Sequence, residues 1–384
     1  MEILTENEIR KDITTTIYSS LFSNDGKYLF AANNHGFLNV FQISEAFNQK
    51  FWKKQINQTN NFDYQIKPFL SIYTIPDNSK SKCLYCLEFG KTSSQEELLF
   101  IGGENGVSIW KWREKSGEIS LSQNINPLIH LQTTKQSIST NESISEIPEV
   151  NDIAYDSKNN ILFGATGNNI IDVWDLETQK IIRNLENHKD YIHCIKYLPN
   201  FDLLISGSDD GFVTFWDMRS NSPTMNLDIS KGEIINDKNY TGFTKSNSAW
   251  VSCLDTDSSE KWLVCGTGLN CLMVWNITSG KISSILPTYS CPQNVKFNSS
   301  DIFSVGNERN IYNWSLQGKI KSISHPNRFQ SLSSIFSFAI HNFTFENSLF
   351  VASGNSTSIP IFIGETISSS LSFKFQNRRI PIQK

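Results

Sequence analysis

The chain has 384 residues, of which 39% are hydrophobic, 12% aromatic and 19% charged. Its 34 basic and 38 acidic side chains give a net charge of −4. This composition excludes disorder along the whole chain, a collagen and a coiled coil. The slightly acidic balance argues against a groove built to neutralise many phosphates. Apolar runs such as IFSFAI at 335–340 fall far short of the roughly 18 residues of a membrane helix, so no membrane contact is expected.

The first residues, MEILTENEIRKDI, carry early acids and no apolar stretch of the kind a secretory signal needs. The seven cysteines are odd in number, which reads as free thiols in a reducing compartment; the expectation is a soluble, intracellular protein. From about residue 12 onward, short apolar or alternating runs follow one another, separated by Gly, Asn, Asp and Ser clusters. No long 3.6-period stretch intervenes, so the chain is predicted to be many short strands.

One element recurs in chain order: a strand, a tight polar turn, then a strand ending in an aromatic. It reads LFAANNHGFLNVFQI at 29–43, LFIGGENGVSIWKW at 99–112, LFGATGNNIIDVWDL at 162–176 and LISGSDDGFVTFWDM at 204–218. It continues as LVCGTGLNCLMVWNI at 263–277, FSVGNERNIYNWSL at 303–316 and FVASGNSTSIPIFIG at 350–364. The closing aromatics are Phe41, Trp110, Trp174, Trp216, Trp275, Trp314 and Phe362. Seven copies of such a WD-type repeat predict an all-β fold, a single seven-bladed WD-repeat β-propeller with four strands to each blade. At roughly 40–45 residues per repeat, seven blades need about 280–315 residues.

The surplus falls in inserts at about 45–67, 113–147 and 229–248. The second is polar and of low complexity, holds one outer strand at Leu128 to Gln132, and otherwise reads as a long disordered loop. Residues 1–11 are an N-terminal segment, 12–372 the propeller and 373–384 a basic C-terminal tail. The strands near 12–23 are expected to complete the blade of the last repeat and so close the ring, removing exposed sheet edges.

The fourth repeat carries His188, Ser206, Asp210 and Trp216, the residue types of a Ser-His-Asp hydrolase with an indole added. Here the serine falls inside a strand and the aspartate in the following turn. No nucleophile elbow or oxyanion loop accompanies them, so a buried hydrogen-bonded tetrad that ties strands together is the better reading. Cys83 and Cys86 form a lone CxxC within a predicted strand, where residues three apart face opposite ways; they read as buried, apolar-behaving thiols, as do Cys253 and Cys265. The histidines lack partners at metal spacing, and no phosphate-binding loop is present. No catalytic, cofactor-binding or metal-binding residue is therefore predicted, and the chain is read as no enzyme. Lys50, Lys53 and Lys54 around Trp52, with Lys374, Arg378, Arg379 and Lys384 in the tail, are basic clusters of the kind that hold single-stranded nucleic acid. Given the acidic net charge they read mainly as solvated side chains, and RNA contact as indirect or weak.

Several stretches resemble a known family. EIPEVNDI at 146–153, LENHKDYIHCI at 185–195 and SGSDDGFVTFWDMR at 206–219 are similar to the sixth-subunit family of the THO complex, in the transcription–export (TREX) machinery. WVSCLDTDSSEKWLVCGTG at 250–268 and LFSNDGKYLFAANNHGFLNVF at 21–41 extend the likeness. The chain departs from the pattern at Asn187, where glycine usually precedes the histidine, and in its long second insert. The resemblance implies a nuclear, non-catalytic scaffold that couples transcription and mRNA processing to mRNA export. Its implied partners are helical THO subunits, notably the fifth.

Tyr191 and Trp250, at equivalent points before the innermost strands of their repeats, are the candidate partner contacts, against a plainer reading of partial burial under a loop. A second function class comes from Trp216-Asp217-Met218-Arg219, a WDxR pattern. In WD-repeat substrate receptors of cullin-RING ubiquitin ligases such an arginine contacts the ligase adaptor, which makes Asp217 and Arg219 candidates for that role.

Overall fold

The computed structural model describes residues 14–43, 65, 66, 68, 70–74, 83–113, 126–134, 148–220, 222–231, 249–324, 332–344, 347–363 and 366–372. They form seven antiparallel sheets set around one ring, so the predicted all-β propeller is the fold. Blade four shows the pattern: Ile192–Leu198 lies innermost, followed outward by Leu203–Ser208, Phe212–Asp217 and Pro223–Asp228. The inner strands of blades one to three are Ile17–Phe22, Leu84–Lys91 and Val150–Asp156. Those of blades five to seven are Val251–Thr256, Pro292–Asn298 and Ile335–Thr344.

Alternation along each strand sends apolar side chains to both faces of each sheet, because every blade is sandwiched between two neighbours. Seven hydrophobic clusters result, each lying between adjacent blades. Phe41, Trp110, Trp174, Trp216, Trp275 and Trp314 are all buried in them. Small residues set the spacing: a Cβ on Gly207 of blade four would stand 2.5 Å from Val251 of blade five. In five blades the hairpin turn between the second and third strands contains a left-handed residue. Glycine supplies it at Gly36, Gly106 and Gly211 (φ 79°, 92° and 80°), and asparagine at Asn169 and Asn270 (φ 68° and 60°).

The expected closure by the N-terminal strand is overturned. Ile17–Phe22 pairs with Tyr28–Asn33 as the inner strand of blade one. Blade seven draws its four strands from its own repeat: Ile335–Thr344, Asn347–Gly354, Ser358–Ile363 and Thr366–Ser372. No exchange is needed because the first repeat brings its own outer strand, Leu70–Tyr73, and the last brings Thr366–Ser372. The ring closes instead through side chains. Ser337 Oγ of blade seven accepts the N–H of Ser20 in blade one at 2.9 Å, and Ile17, Leu29 and Phe41 pack against Ala339, Leu349 and Ile361. One short strand within the first insert, Gln65–Ile66, adds in parallel to the outer edge of blade seven, a pairing the sequence did not signal.

Ile129–Leu131 is the outer strand of blade two, within the span expected from the second insert. The first insert up to residue 64, the rest of the second and third inserts, residues 1–13 and the tail from 373 lie outside the described residues.

Candidate partner-binding rim

The site grows from a device repeated seven times. The turn between the second and third strands of each blade gives a main-chain N–H to the carbonyl of the residue just before the inner strand. These bonds are Asn34 to Thr16, Glu104 to Cys83, Gly167 to Glu149, Asp209 to Tyr191, Gly268 to Trp250, Asn307 to Cys291 and Asn355 to Ser334. The acceptors therefore stand in a circle at one mouth of the ring. Tyr191 and Trp250 hold equivalent places in it, with Glu149 the equivalent residue of blade three.

Directly below, all seven inner strands share a β-bulge after their first residue. A bulge leaves one residue out of the ladder and re-aims it. The residues after the bulge start, Tyr18, Tyr85, Asn151, His193, Ser252, Gln293 and Phe336, line the top of a central cavity of about 580 Å³.

These two circles assemble an aromatic and acidic rim. The His193 ring lies between Tyr191 and Trp250, with centroids 5.2 and 5.3 Å away. Asp209 Oδ1 accepts from His193 Nε2 at 2.8 Å, which fixes the imidazole. The Tyr191 hydroxyl donates to Glu149, and its oxygen lies 3.2 Å from Asn151 Oδ1. Burial and the neighbouring Glu149 carboxylate hold the Tyr191 phenol well above the usual tyrosine range. Two further rim tyrosines repeat the motif: Tyr85 donates to Glu104 at 3.1 Å and Tyr312 to Glu308 at 3.0 Å. Burial raises Tyr312 to about 12.

Halfway down the cavity the inner strands bring charges together. Lys196 and Asp255 pair at 2.9 Å, and Asp255 also accepts the N–H of Phe297 at 2.9 Å. Asp152 accepts the N–H of Ile195 from the next blade at 2.8 Å. These acceptors satisfy inner-edge amides that no strand can pair. Burial lifts Glu88 to about 7 and Asp152 to about 6. Burial acts upward on Asp255, but the Lys196 and Lys296 ammoniums, together with hydrogen bonds from the Phe297 N–H and Lys196, hold that carboxyl below its ordinary value.

The four residues of the fourth repeat come together. Asp210 Oδ2 accepts from His188 Nδ1 at 2.8 Å, Ser206 Oγ lies 2.7 Å from His188 Nε2, and Trp216 Nε1 donates to Ser206 Oγ at 2.9 Å. With a neutral imidazole every donor meets an acceptor. Ser206 is fully buried within its strand, so its oxygen faces no substrate space. Blade six keeps half of the arrangement, Trp314 Nε1 donating to Ser304 Oγ at 3.1 Å, while blade five has Cys265 where blade four has Ser206. Cys83, half-buried just before the inner strand rather than within it, and buried Cys86 after the bulge diverge: Cys83 Sγ reaches Asn34 O toward blade one and Cys86 Sγ approaches Val150 O of blade three.

Asp217 and Arg219 sit on the opposite face, in the turn between the third and fourth strands. Arg219 Nε and Nη2 both donate to the Asp217 carboxylate, at 2.8 and 2.6 Å, and the guanidinium side chain is 74% exposed. Hydrogen bonds from Arg219 hold Asp217 at about 2.

The sequence reading missed His193, Glu149, Asn151 and Asp209 as members of the rim. Glu149 and Asn151 fall inside EIPEVNDI, and His193 stands two residues after Tyr191. The available signal was thus position relative to the inner strand, not residue type.

Comparison with known proteins adds kinship. The family model of the nucleolar protein 10-like N-terminal domain, a β-propeller, matches residues 145–289. A Danio rerio protein named THO complex subunit 6 homolog is 29% identical over 294 residues, 76% of this chain and 77% of that one. The Homo sapiens protein named THO complex subunit 6 is 28% identical over 307 residues, 80% of this chain and 78% of that one. A Rattus norvegicus THO complex subunit 6 homolog is 27% identical over 349 residues, covering 90% of this chain and 89% of its own.

Proposed function

We propose, for a WD-repeat chain that resembles THO complex subunit 6 along most of its length, that it is a non-catalytic scaffold subunit of a nuclear THO-type complex. In this reading it holds helical partner subunits, notably the fifth, against a rigid ring, and so helps couple transcription and mRNA processing to mRNA export. The observation that carries it is the likeness to proteins named for that complex, spread over 76–90% of this chain in fish, human and rat. The site supports it: the polar groups that look catalytic by type are spent on one another inside blade four, while an aromatic and acidic rim lies on loops at one mouth. RNA contact is indirect on this reading, since the rim is rich in carboxylates.

The partner contact is assigned to Tyr191 and Trp250, half-buried rings of the kind that anchor interfaces. The test is affinity purification of the tagged full chain from nuclear extract with quantitative mass spectrometry. THO subunits are expected with the wild type, and less of them with Tyr191→Ala combined with Trp250→Ala. The rival reading, a ubiquitin-ligase substrate receptor, uses Asp217 and Arg219 on the other face, so the two separate cleanly. A cullin adaptor lost on Arg219→Ala, with no THO subunits in any sample, overturns the scaffold reading.

A further inference from the structure

The rim has a chemical bias that names the kind of segment it holds. Among the described residues this face carries, besides Asp190 and Asp210, the carboxylates of Glu104, Glu149, Asp209 and Glu308. The partners of the last four are neutral or imidazole groups: the phenols of Tyr85, Tyr191 and Tyr312, the hydroxyl of Ser290, and His193. Among the described residues, the ion pairs made by lysine and arginine go elsewhere, to Asp25, Glu96, Asp217, Asp255 and Asp301. Lys189, two residues before Tyr191, is exposed, and its ammonium forms no ion pair with these carboxylates.

The same face carries rings beside its acids. Tyr191, His193 and Trp250 make a continuous row, and Tyr289 is 82% exposed above Tyr312. Rings attract cations through their faces, and carboxylates accept the paired donors of a guanidinium in a fixed fork. Phosphate is repelled by the same acids, which separates this surface from one built for nucleic acid.

We propose that the mouth at Glu149, Tyr191, His193, Asp209 and Trp250 docks an arginine-bearing segment of a protein partner. The guanidinium stacks on the aromatic row and pairs with the Glu149 and Asp209 carboxylates. This deepens the partner assignment above and rests on it, by giving the partner its chemistry.

The experiment uses the purified full chain and a fluorescent arginine–glycine peptide, followed by anisotropy. Its glutamate–glycine counterpart and a poly-uridine oligonucleotide serve as probes of the other chemistries. The arginine peptide binds, its affinity falls as salt rises, and the other two probes do not bind. Glu149→Gln with Asp209→Asn weakens the arginine peptide by about tenfold. Trp250→Ala alone weakens it by a similar factor, while Glu177→Gln on the opposite face leaves it unchanged. Melting curves matching wild type show that the rim variants are folded, and the glutamine and asparagine changes keep the side-chain shapes.

Equal affinity of the rim variants and wild type overturns the proposal, as does tighter binding of the oligonucleotide than of the arginine peptide. Retrieval of THO subunits without any arginine-peptide binding sinks this inference and leaves the scaffold reading intact. Peptide binding lost in the rim variants, with no THO subunit retrieved, does the reverse.

Discussion

Ser337 in blade seven and Ser20 in blade one, 317 residues apart, are joined by a 2.9 Å hydrogen bond from the Ser20 N–H to the Ser337 hydroxyl oxygen. The contact has the form of Asp152 accepting the Ile195 N–H between blades three and four. Ring closure therefore uses the same inner-edge device as an ordinary blade junction. Ser337→Ala leaves the buried Ser20 amide unpaired and should cost about 1–2 kcal/mol, read as a lower midpoint in urea unfolding. An unchanged midpoint would mean that the apolar contacts at this junction suffice alone.

The relay in blade four should behave as structure and not as chemistry. Trp216→Ala opens a cavity and removes the indole donor to Ser206 Oγ, and Asp210→Ala leaves His188 Nδ1 without its acceptor. Each should lower stability by about 2–4 kcal/mol. Thermal melts decide it; a variant that melts with wild type while losing a measured hydrolase activity would reverse the assignment.

Glu88 gives stability a pH dependence with a definite sign. Burial raises it to about 7 and Asp152 adds repulsion, with Lys196 and Lys296 acting the other way. The folded chain thus keeps a proton that the unfolded chain has already released from about pH 4.5 upward. Stability consequently falls as pH rises through the window from there to about 7 and is level beyond it. Glu88→Gln should match wild type near pH 4 and be more stable by about 1–3 kcal/mol at pH 8, measured by denaturant unfolding at both values. A variant less stable than wild type at pH 8 would show that the charged form is favoured in the cavity.

Gly211→Ala tests the turn geometry beneath Asp210. At φ +80° an alanine is strained, and its Cβ would lie 2.6 Å from the Ala249 carbonyl oxygen. The expected loss is about 1–3 kcal/mol in thermal unfolding. Asn270→Gly, at the equivalent turn of blade five, should cost less than about 1 kcal/mol because glycine adopts φ 60° freely.

Arg219→Ala should leave the melting temperature unchanged. Its guanidinium pairs with Asp217 in its own exposed turn, where water and salt screen the interaction. The same variant should retrieve THO subunits as well as wild type does, because its turn lies on the face away from Tyr191 and Trp250.

The sequence by itself determined the repeat. A strand, a polar turn and a strand closed by Phe41, Trp110, Trp174, Trp216, Trp275 or Trp314 is a local pattern. Its buried faces follow from alternation, so the number of blades and the buried aromatics could be read without coordinates. His188, Ser206, Asp210 and Trp216 were legible for the same reason, each sitting at a fixed place in one repeat. Tertiary structure alone decided how the ring closes, because nothing local says whether Ile17–Phe22 pairs forward with Tyr28–Asn33 or backward with the last blade. It alone decided the rim. Glu149, Tyr191, His193, Asp209 and Trp250 come from three repeats and meet only because seven bulges and seven turn hydrogen bonds set one residue of each blade at a common mouth. Side chains that converge from separate blades leave no periodic trace along the chain. What a single repeat dictates can be read in sequence, and what lies between repeats belongs to the ring.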